Sequence, residues 1–136
     1  MAMKVTKTSY LEIFTDEVVP RLRAIDLHLK SGDGINILTV ADLLDISKEE
    51  VIHLRRGSSG NVSPDEFLNI MRQGSSALCG MYRRELERSS PAIYTADDIA
   101  YIYSLDRELV KAAFDKLNAA AITEYLIAEV FAEIWL

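Results

Sequence analysis

The chain has 136 residues, of which 49% are hydrophobic and 26% charged; this excludes a disordered chain and allows a core that buries roughly two-thirds of the unfolded surface. Its formal charge is −6, from 15 basic and 21 acidic residues, which excludes a protein that coats polyanions over its whole surface and leaves only a local basic face for that role. One cysteine, Cys79, and two histidines exclude an internal disulfide and offer no metal set, and no stretch approaches the ~20 apolar residues of a membrane span.

Taken in chain order, Ser9-Tyr10-Leu11-Glu12 has capping-box spacing and predicts a helix start before Ile13, Phe14 and Val18. Pro20 suits a first helical turn and predicts a bend, after which Leu22, Ile25 and Leu29 recur at helical spacing up to Lys30. Ser31-Gly32-Asp33-Gly34 is a stop; helices are expected again over 35–44 and 48–56, with Gly57 to Asn61 the most flexible stretch by composition. Ser63-Pro64-Asp65-Glu66 opens another helix with its N-cap, its first-position proline and its acids in order. Gly74-Ser75-Ser76 separates it from a helix running to about Glu87.

Ser89-Ser90-Pro91 is the best internal boundary, giving an N-terminal helical domain over 1–88 and a second helical unit over 91–136. In the second unit helices are expected near 96–103, from about Asp106 to Leu117, and on to the C-terminus. Only Ala92 to Tyr94 reads as a short extended piece, so the expected fold class is all-α. A repeat connects the halves: shifted by 59 residues, Asn36 to Val51 overlays Thr95 to Val110 without a gap. Ala41 meets Ala100, Ile46 meets Leu105, Ser47 meets Asp106 and Val51 meets Val110, so each copy reads as helix, tight turn and capped helix.

The order Val40-Ala41-Asp42-Leu43-Leu44-Asp45-Ile46-Ser47-Lys48-Glu49-Glu50-Val51 carries further information. With Arg55-Arg56-Gly57, Asn61-Val62-Ser63-Pro64 and Phe67-Leu68 after it, it resembles the helix-turn-helix of the lambda-repressor/Cro family of bacterial and phage regulators. The resemblance covers about Val19 to Glu87. It departs from the family at Asp45, where glycine is usual, at Ile37 in place of a glutamine, and at Arg55 in place of a glutamate. It implies a small cytoplasmic regulator of transcription that binds duplex DNA as a dimer. Lys48, Glu49, Ile52 and His53 are then expected in the major groove, with Arg55 and Arg56 completing the DNA-binding set and Arg72, Arg83 and Arg84 on phosphates. The alternative is a protein-interaction module, such as an anti-repressor, co-regulator or accessory subunit, that uses the same fold without touching DNA.

The second copy is the poorer reader, since Asp97, Asp98, Asp106, Glu108 and Asp115 surround it. Residues 1–60 carry eight basic and nine acidic side chains, residues 61–136 seven and twelve, so most of the excess charge lies in the second half. The C-terminal run is more apolar than one helix face requires: Ile127, Phe131, Ile134 and Trp135 are the candidate residues for a homodimer contact. No catalytic residues, cofactor or metal site are expected, because the histidines lack a neighbouring nucleophile and Gly57 to Gly60 lacks the flanks of a phosphate loop.

Overall fold

The computed structural model describes residues 8–57, 59–88 and 93–136, and over these the chain is all-α apart from one pair of two-residue strands and isolated bridges. The predicted boundary Ser89-Ser90-Pro91 and Ala92 lie outside the described residues. In chain order the elements are α1 (Tyr10–Ile13), a π-helical turn (Phe14–Val18), α2 (Val19–Ser31), α3 (Ile37–Leu44) and α4 (Lys48–Leu54). There follow α5 (Pro64–Gln73), α6 (Ala77–Arg88), β1 (Tyr94–Thr95), α7 (Ala96–Tyr103) and α8 (Arg107–Lys116). The chain ends with β2 (Ala121–Ile122), a 3-10 turn (Glu124–Leu126) and α9 (Ile127–Ala132).

Two compact units result. The first is Val18–Glu87. Ser9, Ser47 and Ser63, caps read from the sequence, each accept a backbone N–H from the third residue on and set the starts of α1, α4 and α5, and Asn36 does the same for α3. Helix α3 begins two residues later than expected, because Ile35 is extended and forms an antiparallel bridge with Val62. Val40, Leu44, Val51, Val62 and Phe67 are all at 0% exposure in the core of this unit, joined by Ile25, Ile70, Met71, Leu78 and Cys79. Each such side chain contributes about 1.5–3 kcal/mol by leaving water.

The second unit is residues 8–17 with Arg88–Leu136, so the segment before α2 belongs here rather than to an N-terminal domain over 1–88. Its attachment is specific. Thr8 and Leu136 exchange backbone hydrogen bonds at 3.2 and 2.9 Å, and Tyr10 N–H donates to Ile134 O at 2.7 Å. The Tyr10, Phe14, Tyr103 and Phe131 rings then form one cluster, with Tyr10 edge-on to Phe131 at 4.6 Å and Tyr103 edge-on to Phe131 at 4.8 Å.

The two units repeat one another. Asp45, after α3, has φ 56 and ψ 45; Ser104, after α7, has φ 53 and ψ 46. Ile46 N–H donates to Ala41 O and Leu105 N–H to Ala100 O, both at 3.0 Å. Val51 and Val110, 59 residues apart, are both at 0% exposure. The correspondence runs beyond the segment matched by sequence. Ile35 bridges Val62, and its counterpart Tyr94 pairs with Ile122. From there the offset is 60: Val62-Ser63 matches Ile122-Thr123, and buried Ile70 and Met71 match buried Val130 and Phe131.

That pairing also breaks the expected long C-terminal helix. Ala121–Ile122 are spent on β1, Thr123 heads a 3-10 turn, and α9 stops at Ala132 before Trp135 bridges Ser9.

Candidate nucleic-acid interface

Helix α4 packs one face into the first unit and leaves the other to solvent. Val51 faces the core at 0% exposure, and Leu54 is half-buried beside it. Lys48, Glu49, Ile52 and His53 lie on the other face, all exposed, with Ile52 at 49%. Arg56, just past the helix end, is exposed as well. Five of the six expected DNA-binding residues are therefore exposed to solvent.

Arg55 is the exception and a correction. It is only 8% exposed, and every nitrogen of its guanidinium is engaged within the unit. Nε donates to Glu66 Oε1 at 2.8 Å, one Nη to Gly60 O at 2.7 Å and the other to Ser59 O at 3.3 Å. The side chain thus closes the loop after α4 onto α5. A guanidinium suits this role because its planar fork serves a carboxylate and two carbonyls at once. At 8% exposure it is too buried to meet a phosphate.

Glu50 is likewise turned inward. Its carboxylate accepts the Ser75 N–H at 2.7 Å and the Ser75 hydroxyl at 2.6 Å, fastening the first turn of α4 to the turn before α6. Of the two acids in the first turn of α4, only Glu49, on the outer face, makes no hydrogen bond or ion pair among the described residues. Neither inward bond was foreseen, although Arg55 lies four residues after buried Val51 and so on the same side of the helix.

The expected phosphate contacts divide. Arg72 is exposed. Arg83 donates to Arg72 O at 2.8 Å and Gly74 O at 3.3 Å, so part of its capacity serves the α5–α6 turn. Arg84 is half-buried against Gly80, where a Cβ would stand 2.9 Å from a guanidinium nitrogen. Arg21 donates to the carbonyls of Asp42 and Leu43, placing a cation at the C-terminal end of α3 where the helix dipole favours one.

The candidate homodimer residues are corrected too. Phe131 at 1% and Ile134 at 0% are buried inside their own unit, and Ile127 is half-buried. Helix α9 and the residues after it pack on α1 and the N-terminal segment, a partner that no local pattern marks. Trp135 alone of the four is exposed, at 49%.

Charge separates the units as it separates the halves of the sequence. Val18–Glu87 holds nine basic and ten acidic side chains, whereas Met1–Glu17 with Arg88–Leu136 holds six and eleven. In the second unit the counterpart of the α3 start carries acids: Asp98 closes a capping box with Thr95 and pairs with Arg88 at 3.1 Å, and Asp97 pairs with Arg107 at 2.7 Å. The Thr95 N–H holds the Asp98 carboxyl below the usual aspartate range. Burial pushes the Cys79 thiol up from its ordinary value and leaves it protonated. Among the described residues no group of His, Cys, Asp and Glu side chains is placed to hold a metal ion, and no helix is long and apolar enough to cross a membrane. The chain matches no protein-family profile, no curated protein and no solved structure.

Proposed function

We propose that the unit Val18–Glu87 binds duplex DNA as a regulator of transcription, with α4 as the helix presented to the major groove. The observation that carries this reading is the division of α4: the side chains that would obstruct or be wasted at a groove, Glu50 and Arg55, are tied inward, and Lys48, Glu49, Ile52, His53 and Arg56 are left outward. Each has work to do there. Lys48 and Arg56 neutralise phosphates, Ile52 meets a thymine methyl, and His53 and Glu49 address base edges, Glu49 as an acceptor for a cytosine amino group. The balance of nine basic to ten acidic residues in this unit allows a local positive surface without making the whole chain basic.

The test is fluorescence anisotropy on a labelled random duplex, then on a selected site, across a salt series. Binding at micromolar protein in about 50 mM salt is expected, weakening with a slope of −0.9 per phosphate contacted. Arg56→Ala and Lys48→Ala should each lower that slope by about 1. No binding at low salt overturns the reading.

A second reading, an interaction module that does not touch DNA, is favoured by the eleven acidic against six basic residues in the other unit. The same titration separates the two, because such a module leaves the duplex unbound at every salt concentration.

A further inference from the structure

Residues 8–17 belong to the second unit by packing, yet at Glu17 the chain runs on directly into the first. Ser9 and Trp135 form an antiparallel bridge, flanked by the Thr8–Leu136 and Tyr10–Ile134 hydrogen bonds. The Tyr10 and Phe14 rings lie against Phe131 with centroids at 4.6 and 5.1 Å. The two sides of this contact differ in burial. Phe131 and Ile134 are at 1% and 0% exposure, whereas no residue from 8 to 17 is buried. The segment is a strap: it covers core side chains and has no core of its own.

Between the strap and α2 the helix widens into the π-helical turn Phe14–Val18. Pro20, in the first turn of α2, accounts for this. A proline within a helix lacks the N–H for the bond four residues back, and its ring crowds that carbonyl, here Asp16 in the middle of the turn. The helix is therefore short of backbone bonds at the Glu17–Val18 junction, where the chain passes from one unit to the other. A change of direction costs least there.

We propose that this strap is exchanged between two copies of the chain, residues 8–17 of each seating on α9 and Trp135 of the other. The occupant follows from the strap itself, whose sequence is seen seated on this face: Ser9 at Trp135, Tyr10 and Phe14 on Phe131. Phe131, Ile134 and Trp135 then meet a second copy through its strap rather than through each other. The seat is the same in the closed chain and in the dimer, so the tether alone governs the exchange. A short tether holds the strap at its own seat with an effective concentration on the order of millimolar, which is then the expected dissociation constant of the dimer. Exchange does not depend on whether α4 reads DNA.

The experiment mixes two full chains, one with Ser9→Cys and one with Trp135→Cys. They are refolded together from urea under reducing conditions at on the order of 1 mM, then oxidised. Opposed residues at a bridge without hydrogen bonds of its own lie ~4.5 Å apart at Cα, within disulfide reach. Neither chain alone holds both cysteines, and Cys79 is buried away from the reaction. Exchange predicts a disulfide between the two different chains in clear excess over the like-with-like products. Statistical proportions of the three products overturn it, provided that Ser9→Cys/Trp135→Cys in a single chain closes its disulfide at dilution. Should a cysteine unseat the strap, the unaltered chain decides. A refolded mixture of 13C-labelled and unlabelled chains should then show twice the single-chain mass by light scattering and isotope-filtered NOEs from Tyr10 of one chain to Phe131 of the other. A single-chain mass at that concentration, or a dimer without these NOEs, overturns the proposal.

Discussion

Replacing Arg55 by alanine separates its role inside the unit from the role its place in the helix-turn-helix resemblance implies. The substitution removes three hydrogen bonds from a cation that is 5% exposed in its side chain and strands Glu66, whose side chain is 23% exposed. Breaking a fully buried pair on one side costs about 3–5 kcal/mol, and the partial hydration of Glu66 brings the expected loss to about 3 kcal/mol. A unit of 70 residues has only about 3.5–10 kcal/mol of stability, so a third or more of it goes. Urea denaturation followed by amide signals of Val18–Glu87 measures this directly. Arg55→Lys keeps the charge but not the fork and should lose about half as much. Arg55→Met with Glu66→Met should recover most of the loss, because no buried charge is then left alone. The reasoning fails if Arg55→Ala leaves the urea midpoint unchanged and abolishes DNA binding at the same time, since that pattern belongs to a groove or phosphate contact.

Other outcomes follow from named contacts. Glu50→Ala removes both bonds and should cost about 2 kcal/mol, whereas Ser75→Ala removes only the hydroxyl bond, leaves the backbone N–H on the carboxylate and should cost about 1 kcal/mol; the double variant should lose no more than Glu50→Ala alone, and additive losses in a double-mutant cycle would contradict this. Val51→Ala and Val110→Ala remove matched buried side chains and should each cost about 2 kcal/mol, read by hydrogen exchange in their respective units; a difference above about 1 kcal/mol would show that the two wedges are packed differently. For Asp98 the folded carboxyl titrates below the unfolded one, so its contribution is present above the unfolded value near 3.8 and is lost as pH falls through the lower folded value. The unit holding α7 should therefore lose stability on acidification below about pH 4, and Asp98→Asn should flatten that part of the pH profile.

What was legible in the sequence is what depends on residues close together along the chain. Ser47, Ser63 and Asp106 cap the helices they precede, because a cap needs only its own side chain and the next turn. The matched helix–turn–helix segments are visible for the same reason. What was not legible depends on a distant partner. The spacing of four from Val51 puts Arg55 on the core side of the helix, but what lets a charge stay there is distant: it is held by Glu66, eleven residues on, and by two carbonyls of the loop. Phe131 and Ile134 read as a surplus apolar seam because the rings and backbone that cover them come from residues 8–14, at the other end of the chain.

The turn residues show how local and distant terms combine. Glycine is the residue freest to adopt a left-handed turn, yet Asp45 and Ser104 occupy that position in the two units with nearly the same dihedrals. Two different non-glycine residues, each costing about 1 kcal/mol there, converge on one geometry only if something stronger imposes it. That something is repeated in both units: a half-buried hydrophobe at Ile46 or Leu105 with its N–H on an alanine carbonyl, a capped helix after it, and a fully buried valine at Val51 or Val110. The same account explains why the match to Ile122-Thr123 escaped a gapless overlay. The packing of Ile35 on Val62 and of Tyr94 on Ile122 is preserved while the loop before it differs by one residue, so the physical repeat continues where the numerical one stops. A repeat held by packing can lose its register, its charge and its turn residues and still present a helix in the same way. The two units are therefore free to differ in what α4 and α8 meet, and the outward residues of each helix, rather than the shared turn, decide it.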